Sequence, residues 1–272
     1  MKDLVYSWIE QMLTSVDGNI ASVVSILSAG FWGGSWCNWA KGIATSTIEP
    51  IALTIISICF FVEFLKITIQ MDILKWEYAL KCFFKFVFAK VCIDVAFDLL
   101  DAIYATAAEW VASIGASGTS VGNDAWQAIK GELDGYKFLE MAGVLASSGI
   151  IFIAIWVVTI IIQVIAYARK FEITLLLAIS PLPCAFLPLE DGGASRIPKK
   201  FFINFAGTCL QGVFIIMSVK LYEFLCTEEI DAAIAAGGSP GMIAGQLLLA
   251  TLVLVMAVTK SSGWAKAILD AM

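Results

Sequence analysis

The chain has 272 residues, 60% of them hydrophobic and only 15% charged, with a mean hydropathy of +0.88. Soluble domains are roughly half apolar, so this composition excludes a water-soluble fold and points to one set by a bilayer. A net charge of −6 gives no basic footprint for nucleic acid, and the absence of histidine removes the commonest general base and metal ligand.

The N-terminus predicts an amphipathic helix. Val5, Trp8, Ile9, Met12, Leu13 and Val16 recur at helical spacing on one face, with Asp3, Ser7, Glu10 and Gln11 elsewhere. The same acids and Asp17 interrupt the start, so no cleavable leader is expected and the first span must direct its own insertion. A second apolar stretch, 20–29, leads to a tryptophan-rich string with Trp32, Trp36 and Trp39. Indoles suit the headgroup layer, where the ring is buried and the N–H stays wet. Residues 1–47 are therefore expected on the exterior membrane surface, with Trp8, Trp32, Trp36 and Trp39 as anchors, as a lipid-lying element or as a docking element for a partner.

A transmembrane helical domain is expected over 48–260, followed by a cytoplasmic tail, 261–272. Spans are expected at 48–69, 79–100, 144–168, 201–222 and 242–258, giving an all-α polytopic fold with five crossings. Residues 102–140 are expected as the exterior loop between the second and third spans, with a flexible Gly-rich stretch, 115–122, flanked by short helices. Residues 173–189 carry Pro181, Pro183 and Pro188 and read as a re-entrant or interfacial segment. Basic residues collect on the cytoplasmic side of a membrane. With the N-terminus outside and the C-terminus inside, Lys66, Lys75, Lys81, Lys85, Arg169, Lys170, Arg196, Lys199, Lys200, Lys260 and Lys266 all fall on that side. Two of these clusters flank 173–189, and they share a side only if that segment does not cross.

Polar residues inside the membrane are the candidates for function. Lys90, Asp94, Asp98 and Asp101 fall within roughly 80° of one another on a helical wheel. They predict either a wet conduit or subunit contact, or a neutralised pair with acids reaching headgroup water. Glu63 and Lys66, one turn apart, are a further predicted pair. Arg169, Lys170, Arg196, Lys199 and Lys200 suit anionic headgroups or cytoplasmic partners. The seven cysteines form no CxxC pair and lie mostly in apolar runs, so buried small hydrophobes are expected rather than disulfides or metal ligands. No nucleophile elbow, phosphate loop or dinucleotide motif stands in the context it needs, so no catalytic residue, no metal and no cofactor is expected, with bound phospholipid the natural companion.

The most distinctive string runs from Tyr167-Ala168-Arg169-Lys170 through Ala178-Ile179-Ser180-Pro181-Leu182-Pro183-Cys184-Ala185-Phe186. An aliphatic span ending in a basic pair, then an apolar stretch closing on Ala178, Pro181 and Pro183, resembles the core of the VirB6/TrbL-like family of membrane subunits in type IV secretion and conjugation machines. The resemblance extends over 48–258. It implies a non-enzymatic channel or assembly subunit in the bacterial inner or cytoplasmic membrane, homo-oligomeric and a pentameric ring by family resemblance. It also implies contact between the exterior elements and stalk or pilus subunits, and between the basic elements and secretion ATPases. A DNA–relaxase would pass as cargo. Two other readings stay open: a small secondary transporter or ion channel with Lys90 and Asp94 as its coupling site, and a scaffold that recruits a soluble partner through its N-terminal helix.

Overall fold

The computed structural model describes residues 2–28, 34–70, 76–116, 121–133, 138–189, 196–235 and 240–270. Among the described residues the regular structure is entirely helical: α1 (Lys2–Ser28), α2 (Ser35–Ile43), a π-helical segment (Ala44–Ile48), α3 (Glu49–Gln70), α4 (Trp76–Gly115), α5 (Val121–Leu133), α6 (Phe138–Ala178), α7 (Pro181–Cys184), α8 (Arg196–Ala235) and α9 (Pro240–Asp270). Among the described residues four helical stretches are long and apolar enough to cross a membrane: Ser35–Lys66, Ile153–Ala178, Arg196–Ala233 and Met242–Leu269. The chain is an all-α polytopic membrane protein. The expected second span lies within α4, which is long enough to cross but is not one of these four. Lys81, Lys85, Lys90, Asp94 and Asp98 interrupt its apolar run.

Three expected boundaries shift, each for a local reason. The third span was expected to end at Ala168 before a basic connector, but α6 continues through Arg169-Lys170 to Ala178. Nothing between Ile150 and Ser180 breaks a helix, and the first obstacle is Pro181, which has no N–H with which to continue the helical hydrogen-bond ladder. The irregular segment is thus 179–189 rather than 173–189. Residues 102–114 were expected as a short helix separate from the second span, yet α4 runs unbroken to Gly115 because its Ala-rich sequence holds no Gly or Pro before that position. The first apolar span was expected from Ile48, but helical backbone begins at Ser35 and reaches Gln70 through the π-helical segment. Trp36 and Trp39 therefore belong to the helix that enters the span.

The chain divides into two compact units. The first comprises Met1–Ala29, Ala108–Arg169 and Gln211–Ala265. Its core takes the apolar face of α1, namely Ile9, Leu13, Val16, Ile20 and Val23, together with Trp126 and with Ile162, Val219, Leu247 and Leu254. Tyr6 meets Trp126 edge-on with ring centroids 5.8 Å apart. The Asn123 backbone N–H donates to the Asp17 carboxylate at 3.2 Å, which sets a negative charge at the N-terminal turn of α5. The expected amphipathic stripe is real, but its central part is covered by protein and is not left free to lie on lipid. The side chains of Trp8 and Met12 lie outside the described set, as does Trp32.

The second unit comprises Gly30–Ala107, Lys170–Leu210 and Lys266–Met272. Its core joins Ala52 and Ile56 of α3 and Ala89, Ile93 and Ala96 of α4 to Cys184 and Ala185. Small residues let backbones approach closely where lipid supplies no hydrophobic drive.

Candidate functional site

The proline-broken segment is held inside the second unit. Ala178, Pro181, Pro183, Cys184 and Ala185 are all buried. A turn containing proline must still satisfy its backbone away from water. Here the bonds are short-range: Ile179 N–H donates to the Leu175 carbonyl at 3.1 Å, Leu182 N–H to Ile179 at 3.1 Å, and Phe186 N–H to Pro183 at 3.2 Å. Ser180 has a fully buried hydroxyl with no hydrogen-bond partner. The segment ends α6 and packs its Cys184–Ala185 corner on α3 and α4.

The predicted polar stripe on α4 separates into two parts. Lys90, Asp94 and Asp98 are exposed, and Lys90 donates to the Asp94 carboxylate at 2.8 Å. Phe83, Phe84, Val87, Phe88, Val91 and Val95, on the same helix, are exposed as well. An ion pair on such a surface gains little in water, but in lipid its charges need polar company. Asp98 has a partner that the sequence reading missed, the Lys41 ammonium of α2 at 3.6 Å, and Lys41 also lies 5.6 Å from the Phe97 ring centroid. Lys41 stood alone in a tryptophan-rich string, with no helical register to tie it to α4.

Asp101 differs from the other three. It is 0% exposed and neither carboxylate oxygen has a hydrogen-bond partner. It lies at the outer end of the expected span, where a charged carboxylate buried without a donor is costly.

The remaining predicted residues fall as follows. Lys66 donates to Glu63 at 3.4 Å, and Glu63 is buried. Arg196, Lys199 and Lys200 are exposed on the first turns of α8, as expected. Arg169, expected in an exposed basic connector, is 5% exposed within a helix. A methyl group on Gly212 of α8 would overlap its guanidinium, so the missing side chain at 212 makes the room. No sequence signal marked that glycine. Trp36 and Trp39 are exposed, and with Phe171, Thr174 and Leu175 they line an apolar cavity of about 320 Å³. Trp36 meets Phe171 edge-on at 6.4 Å. Among the described residues no cluster of metal-ligating side chains forms.

A long helix that carries Arg169 and Lys170, a buried Ala-x-x-Pro-x-Pro turn after it and a polytopic helical chain are the features to set beside known families. The family of TrbL/VirB6 plasmid conjugal transfer like proteins matches over residues 13–181. The chain belongs to this family. The TrbL/VirB6 match starts earlier than the expected resemblance, inside α1, and stops at Pro181. It includes α2 to α6 and Ala178, whereas Pro183 and helices α8 and α9 lie beyond it. Neither the curated proteins nor the solved structures contain a match. Membership makes this chain a membrane component of a conjugal transfer or type IV secretion system.

Proposed function

We propose that the chain is the channel or assembly subunit at the base of such a machine, working as a homo-oligomeric ring in the inner or cytoplasmic membrane. The observation that carries this reading is the Lys90–Asp94–Asp98 row on the exposed, otherwise apolar face of α4. Lipid is the wrong neighbour for that row. A second copy of the chain, or an aqueous path enclosed by several copies, supplies the polar company it needs. A pentamer agrees with the family resemblance. In the ring the N-terminus faces the exterior and the basic residues, including Lys170, Arg196, Lys199 and Lys200, face the cytoplasm. Stalk or pilus subunits then meet the exterior elements and secretion ATPases meet the basic ones, with the DNA–relaxase only as passing cargo. The protein contributes no catalytic step and needs no cofactor.

The test is complementation of a transfer-deficient element lacking this gene, with wild type, Asp94→Asn and the charge-swapped pair Lys90→Asp with Asp94→Lys. The ring reading expects Asp94→Asn to lower mating, the swap to restore part of it, and solute uptake to stay unchanged throughout. A loss of uptake of a specific solute, with mating intact, favours the transporter reading instead. Deleting residues 1–19 tests the scaffold reading, which expects insertion to survive and complex formation to fail.

A further inference from the structure

We propose that a pocket between the first turns of α8 and the last turns of α9 holds the phosphate of an anionic phospholipid headgroup. The pocket encloses about 290 Å³ and is lined by Lys200, Ile203 and Asn204 of α8 and Lys266 of α9. Lys200, Ile203 and Asn204 share a helical face with Gly207. A methyl group at Gly207 would stand 3.7 Å from Lys266 Cγ and 3.3 Å from Leu269 Cδ1, so the stem of Lys266 runs along α8 beside that glycine. The lysine stem is thereby directed by the helix it lies on.

Neither ammonium has a carboxylate partner among the described residues. Two like charges lining one cavity repel, and an anion between them converts that cost into attraction. The Asn204 amide adds a donor, and Ile203 supplies an apolar wall on which a glycerol backbone can rest. Depth favours lipid. Lys200 lies four residues after the start of α8 and Lys266 four before the end of α9, near the ends of two candidate spans. That is where headgroups sit and where basic pockets between membrane helices collect them. Nucleic acid is the weaker fit, because the pocket suits a single phosphate and its lining holds no aromatic face on which a base could stack.

The experiment is native mass spectrometry of the full chain in detergent. It is titrated separately with dioleoylphosphatidylglycerol, dioleoylphosphatidylcholine, inorganic phosphate and a single-stranded oligonucleotide. Wild type binds phosphatidylglycerol in preference to phosphatidylcholine, and neither phosphate nor oligonucleotide displaces it. In the double variant Lys200→Gln, Lys266→Gln the phosphatidylglycerol affinity falls roughly tenfold or more, while phosphatidylcholine adducts stay as they are. The pair Lys200→Arg, Lys266→Arg and the distant Lys81→Gln keep wild-type binding. Equal binding of the two lipids overturns the proposal, as does an unchanged affinity in the glutamine variant. Displacement by inorganic phosphate overturns the lipid as the source of the phosphate, and displacement by the oligonucleotide assigns the pocket to nucleic acid. The phosphate and oligonucleotide arms use wild-type protein alone, so they stand even where a variant fails to fold.

Discussion

In the unit that contains α1 and α5, Arg169 is buried at 5% exposure beside a glycine whose missing side chain makes its room. In the unit that contains α2 and α3, Lys90, Asp94 and Asp98 lie on an exposed face among phenylalanines and valines. The first charge is accommodated entirely by this chain, and the cost of disturbing it falls on folding. The second set lacks a covering surface in a single copy, and the cost of disturbing it falls on whatever meets that surface. Intramembrane charge therefore means different things at the two places: an internal fitting at one and, in the proposed ring, an interface at the other.

The largest effect should come from Gly212→Ala. The methyl group overlaps the buried Arg169 guanidinium, so the cost should reach or exceed the upper end of the range for an overpacked core, about 3 kcal/mol. Thermal unfolding of the detergent-solubilised protein should show a much lowered midpoint or no folded peak. A near-normal midpoint would mean that Arg169 is not fixed and would remove one side of the comparison. Next is Ala185→Leu. Ala185 is 0% exposed at the corner packed on Ala52, Ala89 and Ala96, so overpacking there should cost about 1–3 kcal/mol in the same assay.

A smaller change of opposite sign is expected for Asp101→Asn. The carboxyl is fully buried and neither oxygen has a hydrogen-bond partner, so its charged form is costly there. The amide keeps the shape without the charge and should gain about 1 kcal/mol at neutral pH. The unfolding midpoint of the variant should rise slightly, and a fall would show that the charge is needed. The smallest folding effect belongs to Lys90→Asp with Asp94→Lys. Its midpoint should match wild type, because the pair is exposed. A drop as deep as that of Gly212→Ala would break the contrast between the two sites.

Much of this was legible in the residues and some was not. The face of α1 could be read from spacing alone, and Ile9, Leu13 and Val16 are buried as that spacing requires. The ends of α4 and α6 could not be read from apolar windows, because those windows stop at the thickness of a bilayer, about 20 residues. The helices continue until a breaker, Gly115 or Pro181, stops them. The pairs Lys90–Asp94 and Glu63–Lys66 follow from spacing within one helix, and both form. The Lys41–Asp98 pair, the burial of Asp101 and the fit of Arg169 against Gly212 join separate elements, and no local pattern encodes them. Arg169-Lys170 looked like the end of a span because a basic pair after an aliphatic run usually marks one. Here the helix carries both residues onward, with Arg169 on a covered face and Lys170 half-buried.

The central claim is that the exposed face of α4 meets protein in the membrane. A photo-reactive benzoylphenylalanine at Val95, which is 49% exposed beside Asp94, tests it in cells that carry the complete transfer system. The account predicts an adduct between two copies of this chain on illumination, weakened by Asp94→Asn. Adducts to lipid alone, from a variant that still supports full mating, would contradict it.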